Sequence, residues 1–159
     1  KQKIESQYFD PATSSFKFSE TQRVKNIYDV YDDVTQSWIE NYDEGFLNFL
    51  DSQVVKYLRR DNFGNVLEQT VDTYTQACID TGSIPDPANL VNHQRIVNTY
   101  DVRRLTRSEA RRWSTLEELD SNRIDKTVTD YSDFDSRDFS AFQESNRYVY
   151  EAGREVHVT

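Results

Sequence analysis

The feature that most constrains this chain is the stretch from Thr21 to Leu58, in which large apolar residues recur every three or four positions. This spacing is typical of one face of an amphipathic helix, whereas a half-buried strand has a period of two. An unbroken helix of this length would extend about 55 Å, which exceeds the span of a compact domain of this size. We therefore expect the helix to project from the domain or to bend, and Gly45 is the expected position of a bend.

Three further helices are predicted after this one. Ser19 and Gln22 have the spacing of a capping box at the start of the long helix, and Thr106 and Glu109 have the same spacing at the start of the last one. The predicted helices after the long one cover residues 66–79, 87–100 and 106–119. Four Gly and three Pro in 159 residues leave few turn signals, which favours helices over many short strands. Trp38 and Trp113 each lie on an apolar helical stripe, so we expect both to be buried.

The two ends of the chain differ from this helical body. Aromatic residues flank Asp10-Pro11 near the N-terminus, which predicts either a short hairpin or an arm that docks on a neighbour. Two β-favouring runs, 148–150 and 156–158, surround a loop that contains Gly153 and predict a C-terminal hairpin. This hairpin is expected to pair with the segment 16–18. The aromatic residues assigned to these docking arms are Tyr8, Phe9, Phe16, Phe18, Tyr148 and Tyr150.

The sequence thus predicts a mainly α fold, with a small β element from the terminal segments. We expect one domain with an N-terminal arm at 1–19, a helical body at 20–119, and an acidic connection followed by the hairpin at 120–159. No internal repeat is visible in the residue pattern. No apolar run reaches the roughly 18 residues that a membrane span needs, so we expect no membrane partner.

The segment from Asp101 to Ser114 contains five arginines and only two acidic residues, which gives it a charge of +3 within a chain of net charge −9. Arginine side chains bind phosphate and carboxylate groups with two hydrogen bonds. Positions 103, 107 and 111 would share a helix face, although the capping box at Thr106 would remove the first of them from that line. The cluster predicts a contact site for a partner or an anion, or else a solvated charged face: Arg103, Arg104, Arg107, Arg111 and Arg112.

An acidic run between residues 130 and 144 is the second candidate site. Its spacing from Asp133 matches calcium-loop ligand positions 1, 3 and 12, but Arg137 and Asp138 occupy positions where such a loop needs a ligand and a glycine. Solvated acids and capping roles are the preferred interpretation, and we expect no metal and no cofactor. A single cysteine, Cys78, excludes an internal disulfide, suits a reducing compartment or an assembled particle, and is expected to be a buried apolar residue.

No catalytic motif marks the chain, and two histidines 64 residues apart are a thin supply for acid–base catalysis. His93 lies off the apolar stripe and is expected at the surface. We therefore expect a structural or adaptor protein rather than an enzyme. It would act through contacts with other protein subunits or with itself, in a large assembly such as a virus particle or a multisubunit complex. The alternative is a module that binds nucleic acid or another polyanion through the arginine cluster, which the net charge disfavours.

Overall fold

The computed structural model of the protein describes residues 2–10, 15–43, 48–135, 137–151 and 153–158. The fold is predominantly β. Its ten strands are β1 (Gln2–Asp10), β2 (Ser15–Tyr28), β3 (Val34–Tyr42), β4 (Phe49–Arg60), β5 (Val66–Tyr74), β6 (Leu90–Asp101), β7 (Arg104–Trp113), β8 (Arg123–Phe134), β9 (Ser140–Glu151) and β10 (Arg154–Val158). Helix in the described residues is limited to two three-residue 3-10 turns, Pro87–Asn89 and Asp120–Asn122. None of the helices in this part of the chain has the length and apolar character that crossing a membrane requires.

The prediction of a mainly α, helical protein is therefore wrong. The stretch assigned to one long helix contains the end of β2, all of β3 and most of β4. The three other predicted helices correspond to β5, β6 and β7, and the predicted acidic connection contains β8. Both predicted capping boxes lie inside strands, β2 and β7. The expected bend at Gly45 lies outside the described residues.

The strands follow one another in the sheet in chain order, from β1 to β10. Neighbours such as β2–β3, β7–β8 and β8–β9 pair antiparallel, as short connections between successive strands require. At the N-terminus β1 and β2 form a hairpin in which Phe9 lies opposite Phe16. The segment 16–18 thus pairs with β1 and not with the C-terminal strands, which corrects the prediction. At the other end β9 and β10 form a hairpin where the sequence predicts one, with Arg154 opposite Glu151.

Contacts between residues group the chain into two compact units. Unit 1 comprises Lys1–Val55 and Asp72–Val91, and unit 2 comprises Lys56–Val71 and Asn92–Thr159. Unit 1 contains an apolar cluster, with Ile27 and Leu90 packed against its buried members, which are Trp38, Val54, Tyr74, Cys78 and Ile79. The predicted burial of Cys78 is confirmed. Trp38 in unit 1 and Trp113 in unit 2 are also buried as predicted, although they lie on strands.

A buried carboxylate closes the core of unit 1. Glu40 on β3 has no exposed surface, and its Oε1 accepts hydrogen bonds from the backbone amides of Cys78 and Ile79 at 2.9 and 2.8 Å. Its Oε2 accepts from the hydroxyl of Tyr42 at 2.9 Å and pairs with Arg23 at 3.2 Å. The segment after β5 is held over β3 by these bonds, because a buried charge is tolerated only when its acceptor sites are filled.

Arg23 connects Glu40 to the segment that follows β5. The guanidinium binds both oxygens of Asp80, at 2.8 and 2.7 Å, in addition to Glu40. These contacts, first the hydrogen bond to Asp80, raise the pKa of Arg23. Arg23 therefore links Asp80, in the loop that carries Cys78, to Glu40 on β3.

One turn geometry recurs at three hairpins. At Asp29, Asp61 and Asp135 the carboxylate accepts the amide hydrogens of the residues two and four positions later, at distances between 2.8 and 3.1 Å. In each turn the amide of the aspartate also donates to the carbonyl four residues later. The residues at the third position after the aspartate have left-handed backbone angles: Asp32, Gly64 and Asp138. The same turn geometry therefore occurs at three hairpins, although no repeat is visible in the sequence.

Candidate interaction surface

The arginine cluster lies on the hairpin of β6 and β7. Arg103 occupies the two-residue turn, and the other four arginines lie on β7. The register places Arg107 and Arg111 opposite Asp130 and Lys126 of β8, on one face of the sheet, and Arg112 opposite Asp125. Successive strand residues point to opposite faces. The expected helical face is therefore replaced by two separate groups on opposite sides of β7.

Four of the five arginines are already paired with carboxylates of this chain. Arg104 Nε lies 2.6 Å from Asp138 Oδ1, and Arg107 Nη1 lies 3.0 Å from Asp130 Oδ1. Arg111 pairs with Glu109 on its own strand at 2.5 Å. Two of these partners, Asp130 and Asp138, belong to the acidic run, so two ion pairs join the two predicted candidate sites.

Arg112 belongs to the most buried of these arrangements. Asp125 is 3% exposed and lies between Arg112, whose Nε is at 2.8 Å, and Arg147, whose Nη2 is at 2.8 Å. The hydrogen bonds from Arg112, and then those from Arg147, hold the pKa of Asp125 below its usual value against the effect of burial. This triad links β7, β8 and β9 and was not identified from the sequence.

Arg103 differs from the other members of the cluster. It is exposed, and it forms no ion pair with any carboxylate among the described residues. Asp101, on the other side of the turn, also lacks an ion pair within that part of the chain. Its negative charge raises the pKa of Arg104 through space, after the larger effect of Asp138. The turn thus carries two opposite charges without direct partners.

Asp135 of the acidic run has a structural role. Asp135 caps its turn by accepting from the amides of Phe139 and Arg137, and these two bonds lower its pKa. Across the residues that the structure describes, no three His, Cys, Asp or Glu side chains are grouped as a metal site.

A second polar cluster lies at the opposite end of β7. Arg95 on β6 binds Glu68 through Nε at 2.7 Å and both oxygens of Glu118 through Nη1 at 3.1 and 3.0 Å. His93 is 6% exposed, with Nε2 at 3.3 Å from Glu118 and its ring centroid 5.7 Å from that of Trp113. The prediction of a solvated His93 is therefore wrong, because the His93 ring packs beside the buried Trp113.

A cleft of about 330 Å³ runs beside this cluster. The charged residues that line it are paired in the structure: Arg95 with Glu118, Arg107 with Asp130, and Arg111 with Glu109. Its other lining residues are Val97 and Thr99. The lining side chains carry three positive and two negative charges, and Asp130, which is not among them, pairs with the remaining arginine. These pairs would have to open before a charged ligand could bind.

Three exposed apolar side chains lie in turns of unit 2. Phe63, Val102 and Phe139 are 59%, 59% and 67% exposed. Asn65 Nδ2 donates to the carbonyl of Val102 at 2.7 Å, which joins the turns that carry the first two. The Arg104–Asp138 pair joins the second turn to the third. We call the described residues of the three turns, 60–65, 101–104, 135 and 137–139, the tip surface.

The aromatic residues assigned to docking arms divide into two groups. Tyr148 and Tyr150 on β9 are half-buried, and cations cover their rings, Lys126 at 4.8 Å and Arg123 at 5.2 Å from the centroids. The His157 ring packs 5.2 Å from that of Tyr148. The side chains of the other group lie outside the described part of the structure: Tyr8, Phe9, Phe16 and Phe18. A docking role for either group stays a prediction.

Sequence reasoning missed the apolar members of the tip surface. The available signal was an aspartate followed three residues later by a residue that tolerates left-handed angles, as in Asp61-Asn62-Phe63-Gly64. Comparisons with protein-family models, with curated proteins and with solved structures give no match to this chain.

Proposed function

We propose that the protein is a structural or adaptor component that acts through protein–protein contacts within a larger assembly. The observation that carries the proposal is the tip surface, where three apolar side chains are more than half exposed and backbone hydrogen bonds hold the turns at Asp61 and Asp135. Exposed apolar side chains gathered on one surface are typical of sites that contact other proteins.

The repeated hairpin supports the same proposal. Three turns use one aspartate geometry, and repetition of a supersecondary unit is typical of scaffolds that present extended binding surfaces. The long strands supply rigidity, while the turns are free to carry residues that the fold itself does not need.

The alternative function, polyanion binding through the arginine cluster, has less support. A phosphate would have to displace Asp138, Asp130 and Glu109 from arginines that they already neutralise. The net charge of −9 adds repulsion as a polyanion approaches.

A titration of labelled single-stranded and duplex DNA, followed by fluorescence anisotropy, separates the two functions. We expect no binding at physiological salt from the unmodified protein. Binding that weakens steeply with salt, and that is lost in the Arg107→Ala/Arg111→Ala double variant, would overturn the proposal in favour of polyanion binding.

A positive test uses a photo-crosslinking amino acid at position 139 in an extract of the source cells. We expect protein adducts that excess unmodified protein competes away and that excess Phe139→Ser protein competes less well. Position 151 provides the control, because Glu151 is exposed on a strand away from the tip turns. Equal adducts at both positions would contradict a specific protein contact at the tip.

A further inference from the structure

The turn at the centre of the tip surface holds a residue that its conformation disfavours. Val102 has a φ of 56°, a left-handed angle that a β-branched residue adopts only under strain and that glycine or asparagine would accept readily. Its side chain is 59% exposed, so packing inside the chain does not account for a valine here. Strain of this kind is most often retained at sites with a function.

The charges of the tip surface are balanced. Four arginines and four aspartates lie in the three turns, and two of the pairs, Arg104–Asp138 and Arg137–Asp135, are closed within the chain. A neutral surface gives no attraction to an anionic membrane or to nucleic acid, whose binding depends on excess positive charge.

Within the described residues, the two charges that flank Val102 have no ion-pair partner. Asp101 and Arg103 carry opposite signs, and neither forms an ion pair within the described residues. In a twofold contact between identical surfaces each residue meets its complement on the other copy. A second copy of the chain therefore supplies a carboxylate for Arg103, a cation for Asp101 and an apolar surface for Val102.

We propose that the tip surface of unit 2 is a self-association site, at which Val102 and the two phenylalanines of one copy pack against those of a second. Arg103 of each copy then faces Asp101 of the other. The inference rests on the proposed function and gives it a partner. The contact is small, because it consists of three turns, and interfaces of under about 1,200 Å² are typical of weak, transient association.

Sedimentation velocity over a wide concentration series tests this directly. We expect the unmodified protein to be in a monomer–dimer equilibrium. Phe139→Ser should weaken the dimer about 30-fold, the effect of losing a hot-spot residue of about 2 kcal/mol. The matched control is Leu119→Ser, which removes a side chain that is 53% exposed at the other end of β7 and should leave the dimer unchanged.

Val102→Asn provides a variant whose fold is not at risk, because asparagine suits the left-handed angle. We expect its thermal stability to be equal or higher and its dimer to be weaker. Arg103→Asp and Asp101→Arg should each weaken the dimer, whereas an equimolar mixture of the two variants should restore association.

A protein that stays monomeric at all concentrations would overturn the self-association site, while the crosslinking test of a different protein partner could still succeed. A dimer that survives Phe139→Ser and Val102→Asn unchanged would overturn it as well. Neither result affects the DNA titration, which alone decides between protein contact and polyanion binding.

Discussion

Unit 1 and unit 2 use the same kind of strand pairing but different interactions between side chains. Unit 1 buries a cluster that includes Trp38 and Tyr74 and closes it with Glu40, which is fully buried. Unit 2 buries few apolar side chains, among them Trp113 and Val128, and ties its strands together with cross-strand ion pairs.

The difference predicts which residues of each unit can be substituted without a large loss of stability. In unit 1 a polar group inside a low-dielectric core is stabilising only as long as all of its partners remain. In unit 2 most pairs are exposed to water, where each one contributes little. The surface of unit 2 is therefore freer to change and to carry contact residues, as the tip turns do.

The removal of Glu40 is the strongest test of this difference between the units. Glu40→Ala leaves the amides of Cys78 and Ile79 and the guanidinium of Arg23 without their buried acceptor. We expect the free energy of unfolding to fall by about 3–5 kcal/mol, as for other buried ion pairs that lose one partner. Urea denaturation measures it, with Glu151→Ala as the control for an exposed acid. A loss below about 1 kcal/mol would show that the core does not depend on the carboxylate.

The second prediction concerns Tyr74, whose burial, with smaller effects of Asp72 and Cys78, raises its pKa to about 12. The neutral phenol is favoured in the folded state, so its contribution is fully present below pH 10 and is lost as the pH rises from about 10 to 12. The loss corresponds to about 2–3 kcal/mol. Stability curves of the protein and of Tyr74→Phe should be parallel below this range, and between about pH 10 and 12 the protein should lose stability relative to the variant. Parallel curves through that range would contradict the assignment.

In unit 2 the largest single effect is expected at Asp125. Asp125→Asn removes the charge between Arg112 and Arg147, and we expect a loss of about 1–2 kcal/mol because both arginines remain accessible to water. The pKa of Asp125 is lowered in the folded state, so its contribution is present above about pH 4 and is lost as the pH falls through the folded pKa. The difference in stability between protein and variant should therefore shrink on acidification. A constant difference would rule out the ion pairs as its cause.

The smallest effect is expected for Arg107→Ala/Arg111→Ala. Both arginines are about half exposed, as is Asp130, while Glu109 is 23% exposed. Ion pairs that are accessible to water contribute about 0.2–1 kcal/mol each. Thermal unfolding should shift little, and the shift should vanish at high salt. A large shift that persists in salt would mean that unit 2 depends on these residues as unit 1 depends on Glu40.

The sequence predicted the burial of three side chains although it did not predict the strands that carry them. Trp38, Trp113 and Cys78 are buried as expected, because large apolar and thiol side chains leave water in any fold. The helical period from Thr21 to Leu58 was misleading since the buried face of β2 and β3 also carries Arg23, Lys25 and Glu40. Charged residues at inward positions remove the period-two pattern by which strands are identified.

The turns after Asp29, Asp101 and Asp135 were not predicted, for a related reason. Turn predictions relied on Gly and Pro, yet Asp32, Val102 and Asp138 hold three of the left-handed positions. An aspartate can adopt such angles because its short polar side chain bonds locally. The candidate arginines form a cluster in the sequence, but apart from Glu109 their carboxylate partners lie outside the hairpin of β6 and β7. Those partners depend on strand register, which local patterns do not determine.

Amide hydrogen exchange at low and at high sodium chloride concentration tests the contrast between the units most directly. Salt shortens the screening length from about 30 Å at 0.01 M to about 3 Å at 1 M. We predict that amides of β7 and β8 lose protection as salt rises, whereas those of β3 and of Cys78 and Ile79, beside the buried carboxylate, keep theirs. Equal loss of protection in both units, or no loss in unit 2, would contradict the account.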